Sequence, residues 1–582
     1  MTEQQINNSR EIAIIWNTAD QILRDTYKRH QYQDVILPFV VLTRIESVLL
    51  EKRKETENKH QNALKKLPEK ERTKIVSEQV RSSLGFDNSS KFTLKSLAAE
   101  KETALKENFR AYLNDYTQNI QEILQNFKLH DKISDLAKNK ILYPIVKQYS
   151  ELSDDLSPKK IDNLQMGYVF EELIRRFAEA SNEEAGEHFT PREIIELMVE
   201  LVIDDDQIQP GELKRVYDPA CGSGGMLTVA KNYLLKKNPR ANIVIYGQEI
   251  NPETYAICAS DMLLKGEKPT NIKHGNTLTE DQLPNEEFDY MLSNPPFGKD
   301  WKNDKHKIET DNTGRFNPEI LPRVSDGSTL FLMQMLSKMK PPQEGTSSVA
   351  IVFNGSPLFT GDACSGESNF RKHLLENDLL ETIIALPTEL FYNTGITTYI
   401  WIARNKKSPK RKGKIQLINA VDFFEKMKKS LGNKRNYITK QQIQKIAQIY
   451  TSFTQGEHCK IFDTKDFGYT RITLELTDLD ENGKPRMETI TKKVKGKEVQ
   501  VTQPTKIKDE EYVPLKENIA VYLKREVDKP YKILKQDIGY EINFTQYFYK
   551  YKPLRPIQEI TKEFSELEKK NQAALKELGL AP

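Results

Sequence analysis

Four cysteines in 582 residues, Cys221, Cys258, Cys364 and Cys459, form no C-x-x-C pair and no secreted-domain spacing. Their scarcity argues against a disulfide-stapled fold and a structural zinc, and makes a reducing cytoplasm the expected compartment. Long hydrophobic runs are missing too. No stretch approaches the roughly 18 apolar residues of a membrane span, and the amino terminus MTEQQINNSR lacks a signal peptide's apolar core. An excess of one charge is also lacking: 87 Lys and Arg against 84 Asp and Glu leave +3. That balance alone does not make a nucleic-acid binder, so any such contact must come from a local patch or a partner. Length, by contrast, is plentiful. It exceeds one hydrophobic core and suits roughly three to four domains, and 37% hydrophobic with 29% charged residues fits a helix-rich globular protein.

Residues 1–170 are expected to form a helical domain, because NTADQILRDTY, DVILPFVVLTRIESVLLEKRKE and IDNLQMGYVFEELIRRFAEA carry apolar positions at helical spacing. The charged stretch that runs to Lys74 reads as a solvated helix or insertion. Next, Thr190, Pro191 and Glu193 make a capping-box pattern at a helix start. From Lys214 to Ala420 short apolar runs (LKRVYD, NIVIYGQE, FDYMLS, SVAIVF, ETIIALP, TYIWIA, KIQLINA) alternate with helical patterns. That rhythm predicts an α/β domain over 171–425 with a doubly wound, mostly parallel sheet, whose ligands sit beyond the strands' carboxyl ends. Residues 426–555 form a weaker, mixed region with a polar hairpin or insertion at about 478–512, and 556–582 read as a final helix.

Three strand ends carry candidate chemistry. VYDPACGSGGML ends a strand at Asp218 and opens a helix through Gly222, Ser223, Gly224 and Gly225, a loop whose backbone a ligand can approach closely. The dinucleotide fingerprint fails here, since Leu227 stands where its third glycine would be. A plain tight turn explains the loop about equally well. The next strand ends in Glu249, placed to hold two ribose hydroxyls or, more simply, to cap the helix near Asn251. Loop and acid together favour a nucleoside-bearing cofactor. Asn276 ends a third strand within reach of an adenine amino group, although GNT alone is a turn. Phe189 before Thr190 reads first as a hydrophobic staple.

The stretch FDYMLSNPPFGKDW then brings Asn294, Pro295, Pro296 and Phe297 to a strand's carboxyl end. An exocyclic amino nitrogen is a poor nucleophile because its lone pair is delocalised into the base. The Asn294 side-chain oxygen and the Pro295 carbonyl can accept its two N–H bonds and favour a pyramidal nitrogen. The two prolines hold that carbonyl in place beforehand, and Phe297 can stack on an extruded base. No strong general base is required, and none of the eight histidines is placed to supply one.

In this order, EHFTP, DPACGSGG, QE and NPPF resemble the gamma-class amino-methyltransferases of DNA. More narrowly, with DVILPFVVLTRIESVL and GYEINFTQYFYKYKPLRPIQEI, the chain resembles the modification subunit of a Type I restriction–modification system. The resemblance implies a seven-stranded methyltransferase sheet and transfer of a methyl group from S-adenosyl-L-methionine to N6 of adenine. It assigns Glu187, His188, Phe189, Thr190, Pro191 and Arg192, with the loop Asp218 to Gly225, to the methionine part of the cofactor. Glu249 falls to the ribose, Asn276 to the adenine, and Asn294 to Phe297 to catalysis. Related enzymes often carry Asp where this chain has Asn276, which leaves that one contact open. The implied partners are double-stranded DNA with a flipped-out adenine, a specificity subunit, a second copy of the chain and a restriction nuclease subunit. A solitary DNA adenine methyltransferase and a protein glutamine N5-methyltransferase are the alternatives, and a Rossmann dehydrogenase fits least.

The basic run RNKKSPKRKGK, residues 404–414, divides evenly between a phosphate contact and a solvated hairpin. The final helix shows a seam of Ile557, Ile560, Phe564, Leu567, Asn571, Ala574 and Leu578 at alternating gaps of three and four. Three heptads are marginal alone and want a partner helix, expected on the specificity subunit; folding back on the same chain is the alternative. Deleting 556–582 is accordingly expected to leave a folded chain that binds cofactor but no longer co-purifies with a specificity subunit. Retained co-purification with site-specific methylation would place the interface elsewhere.

Overall fold

The structure is a computed structural model and describes residues 10–28, 31–181, 190–203, 208–392, 394–494, 497–551 and 555–577. Its helical amino-terminal part is organised around the helix Gln33–Lys59, which is buried continuously from Val35 to Leu49 and not along one stripe. Charges inside that buried length each find partners of their own. Arg44 donates to the carbonyls of Leu156 (2.6 Å) and Ile161 (2.9 Å) and to Asn163 Oδ1 (2.8 Å), while Glu46 accepts from Leu94 N and the Tyr112 hydroxyl. Ala256, Ile257, Leu263 and Leu264 belong to the same apolar core, so these helices pack on the helix Pro252–Leu264 of the sheet domain. No helix among the described residues is long and apolar enough to cross a membrane.

The central sheet is built from β1 (Leu213–Asp218), β2 (Asn242–Glu249), β3 (Ile272–His274), β4 (Tyr290–Ser293), β5 (Ser348–Phe353), β6 (Leu380–Ala385), β7 (Tyr399–Arg404) and β8 (Lys414–Asn419). A hairpin, β9 (Glu425–Leu431) and β10 (Lys434–Tyr437), precedes β11 (Cys459–Asp463), and the order across the sheet is β11-β8-β6-β7-β5-β4-β1-β2-β3. Strands β1 to β5 pair parallel, β7 lies antiparallel between β5 and β6, and β11 is antiparallel to β8. The seven strands β1 to β7 are those expected of a methyltransferase sheet. Two more, β8 and β11, extend the β6 edge, so the sheet has nine strands where seven were expected. KIQLINA supplies β8, an apolar run that the β6 edge can pair with and bury.

Beyond the sheet, β12 (Gly468–Thr477), β15 (Lys506–Pro514) and β16 (Tyr531–Tyr540) form a three-stranded antiparallel sheet around Ile472, Leu474, Leu476, Val513 and Leu523. The polar stretch at 478–512 contains the hairpin β13 (Met487–Val494) and β14 (Lys497–Pro504). Residues from Asn543 onward form a separate compact unit. Its helix Ile557–Glu577 leaves Ile557, Ile560, Phe564 and Leu567 exposed, and Leu578 lies outside the described residues.

The basic run 404–414 turns cations toward the protein, beginning with Arg404, which pairs with Glu381 at 3.2 Å. Lys407 pairs with Asp378 at 2.6 Å, Lys414 pairs with Asp463, and buried Arg411 donates to Gln416 Oε1 at 2.8 Å while lying over Tyr450 and Phe453. These cations fasten the turn between β7 and β8. Likewise, Lys434 has no exposed surface: it pairs with Glu193 of the helix Arg192–Ile203 and donates to the carbonyls of Leu390 and Asn436, both at 3.0 Å. Breaking a buried pair strands the remaining charge, so Lys434→Met is expected to destabilise the chain by about 3–5 kcal/mol in urea unfolding. A loss below about 1 kcal/mol would mean that the pair behaves like a surface ion pair.

Candidate active site

Parallel strands bring equivalent ends to one edge. Residues just past β1, β2, β3 and β4 there enclose a cavity of about 350 Å³. Thr190, Asp218, Gly222, Ser223, Gly225, Glu249, Asn276, Asn294 and Pro296 border it. Pro191, Arg192, Gly224, Pro295 and Phe297 do not: Pro191 and Pro295 are buried, and Phe297 packs half-buried against the sheet's core. Arg192 lies behind the loop, donating to the Gly225 carbonyl at 3.4 Å. Glu187, His188 and Phe189 lie outside the described residues.

The loop after β1 is shaped by contact with the helix Pro252–Leu264. Gly224 sits at φ +83°, and a Cβ there would stand 2.8 Å from Cys258 Sγ and 3.0 Å from Met262 Cε. Only glycine combines that backbone with that approach. Glu249 is buried and is not the cap of the following helix, a task performed by Asn251 through Glu253 N and Thr254 N. Instead its carboxylate accepts from Gly222 N (2.9 Å) and Asn251 N (2.8 Å), tying the β1 loop to the end of β2.

Asp218 does the same between β1 and β4. It accepts from Ala220 N at 3.0 Å and from the Ser293 hydroxyl at 2.9 Å, one residue before Asn294. Burial above all, with the nearby Glu249 charge, pushes its carboxyl up to about 7, against the pull of those two hydrogen bonds. Asn294 has the opposite character. Its Oδ1 is buried and accepts no hydrogen bond among the described residues. An unpartnered buried acceptor costs about 1–3 kcal/mol, which a donor arriving in the cavity recovers.

The sequence reading missed the far wall. Lys299, Asp300, Trp301, Asp304, Gly327 and Phe331 border the cavity from the segment after NPPF. Between Lys299 and Gly327 that segment has no periodicity and no motif, whereas Phe331 lies in the regular run TLFLMQMLSKMK, which forms the helix Ser328–Ser337. Trp301 is 4% exposed and donates its Nε1–H to the Arg323 carbonyl at 3.0 Å. Four carboxylates, those of Asp218, Glu249, Asp300 and Asp304, thus face the cavity against one ammonium. Such a lining favours a cationic ligand.

A family described as N-6 DNA Methylase matches residues 161–483, more than half of the chain, and HsdM N-terminal domain matches 13–148. The Type I restriction enzyme MjaIX methylase subunit of Methanocaldococcus jannaschii is 26% identical over 492 residues, covering 81% of both chains. The HindI methylase subunit of Haemophilus influenzae is 32% identical over 260 residues, 44% of this chain and 54% of that one. The crystal structure of a type I restriction-modification methyltransferase subunit from Streptococcus thermophilus shares the fold, with a TM-score of 0.64 and 24% identity over 80% of this chain and 96% of that one. The chain belongs to the N-6 DNA methylase family, as a modification subunit of the Type I restriction–modification kind.

Proposed function

We propose that this chain uses S-adenosyl-L-methionine to methylate N6 of an adenine flipped out of double-stranded DNA, with Asn294 as the residue that engages the target nitrogen. The observation that carries this is the buried, unpartnered Asn294 Oδ1 at the border of an acidic cavity. The cavity's residues fit the cofactor. Its two positive centres, sulfonium and ammonium, suit the carboxylate-rich lining, and a loop with small side chains admits it. Bound there, it supplies a methyl group on a positively charged sulfur.

The chain's own residues do the rest. Asp218 and the loop to Gly225 hold the methionine end, and Glu249 accepts from the ribose hydroxyls. Asn294 Oδ1 and the Pro295 carbonyl accept the two N–H bonds of the adenine amino group, drawing its lone pair out of the ring. Pro295 and Pro296 stiffen that acceptor pair, so little reorganisation accompanies the transfer. Thr190 lies at the cavity wall, at the end of the segment that starts with Glu187, His188 and Phe189.

For assembly, we propose that a separate specificity subunit reads the DNA site and docks on the stripe Ile557, Ile560, Phe564 and Leu567, which is exposed. A second copy of this chain and a restriction nuclease subunit complete the proposed complex.

Asn294→Ala is expected to lower methyl transfer to DNA by about 10²-fold or more, the scale of removing one preorganised polar group, while S-adenosylmethionine affinity stays within a factor of a few. Turnover near the wild-type rate would remove Asn294 from this role. Calorimetry across pH tests Asp218. Its carboxyl is raised to about 7, so below that pH a bound ammonium must first displace a proton. Affinity is therefore expected to be level above pH 7 and to fall by up to about tenfold per unit below it. Asp218→Asn should flatten that profile; an unflattened profile would assign the proton to another group.

A further inference from the structure

We infer that Asp304, and not Asn276, is the acceptor for the exocyclic amino group of the cofactor's purine, with Asn276 orienting its carboxylate. The inference rests on the reading that S-adenosylmethionine occupies the cavity. Asn276 has the position from which an amide or carboxylate would meet the purine, but its acceptor is already shared. Its Oδ1 takes the Leu278 N–H at 3.0 Å, closing a local turn. That bond fixes the amide, and Nδ2 then donates to Asp304 Oδ2 at 3.0 Å. An amide held this way turns its N–H to Asp304 and keeps one lone pair on an oxygen already in use, a weaker acceptor for an amino group than an open carboxylate oxygen.

Asp304 has what Asn276 lacks. It borders the same cavity, and its Oδ1 has no hydrogen-bond partner among the described residues. An aspartate just before a helix ordinarily spends its carboxylate on the first turn. Asp304 precedes the helix Lys305–Glu309 and makes no such bond. No cation pairs with it among the described residues either, although Lys305 and Lys307 lie close in sequence and pair with Glu309 and Glu280. The carboxylate is also held in place. Asp304 N donates to the Trp301 carbonyl at 3.0 Å, and Trp301 is anchored through its own N–H to Val324 and its indole N–H to Arg323. A fixed acceptor with one open oxygen selects an amino-bearing purine and repels a 6-oxo one, whose lone pairs would face the negative charge.

A second consequence concerns coupling. Asp304 follows Phe297 by seven residues on the segment that begins with Asn294. A purine amino group bound by Asp304 therefore tethers the catalytic segment to the cofactor, whereas a contact at Asn276 would involve the β3 loop alone.

The test is calorimetric titration of the full chain with S-adenosylhomocysteine and with S-inosylhomocysteine, which has a 6-oxo group in place of the amino group. The wild-type chain is expected to prefer the amino ligand by at least about tenfold, the value of a hydrogen bond to a charged acceptor. Asp304→Asn is expected to weaken the amino ligand by a similar factor and to hold or improve the 6-oxo ligand, since a carboxamide can donate to it. Retained binding of the 6-oxo ligand shows that the variant's site is intact. Asn276→Ala should keep the preference in reduced form. A preference unchanged in Asp304→Asn, or abolished only in Asn276→Ala, overturns the inference. Failure of the wild-type chain to bind either ligand overturns the cofactor reading and this inference with it.

Discussion

The site depends on β1 lying between β2 and β4 with all three strands parallel. The pairings Asp218↔Gly247 and Val216↔Tyr290 set the levels at which the strands end. Parallel pairing puts every carboxyl end on one edge, and a slip of one residue would send each side chain to the opposite face. Asp218, Glu249 and Asn294 lie 31 and 45 positions apart in sequence, by subtraction of their numbers, yet they border one cavity. The hydrogen bonds of Glu249 to Gly222 and of Ser293 to Asp218 then lock adjacent ends together.

A nearly neutral chain thereby builds a locally acidic cavity. Overall charge says little about such a place, because local fields come from the few groups that share a low-dielectric space. Asp218 shows the cost: buried beside Glu249, its carboxyl is held far above its ordinary range. Asn294 shows another, a buried acceptor without a donor. Functional sites concentrate such unfavourable arrangements because a ligand of the right chemistry relieves them. Both are offset by the large apolar cores on either side of the helix Pro252–Leu264.

The cations tell a complementary story. Lys407, Arg411, Lys414 and Lys434 are all engaged by the protein, and the side chains of Lys407, Arg411 and Lys434 have almost no exposed surface. Each is fastened by a carboxylate or by carbonyls, and each pins a turn or hairpin beside the sheet. Lys434 ties the β9–β10 hairpin to Glu193, three residues from Thr190 at the cavity's border.

Sequence by itself determined the alternation of strand and helix, because short unbroken apolar runs mark strands buried on both faces and period-3.6 patterns mark helices. It also determined which strand ends border the cavity, since DPACGSGG, QE and NPPF consist of residues that local structure alone does not require together. The edge strand β11, the roles of the cations and the far wall of the cavity were decided by tertiary structure. Edge pairing is a property of whichever edge remains open, and β11 joins β8 from forty residues away. The turn of the Asn276 amide toward Asp304 depends on a bond to Leu278 and a neighbour 28 positions on. Such contacts leave no periodic trace, because they join residues that only the folded chain makes adjacent.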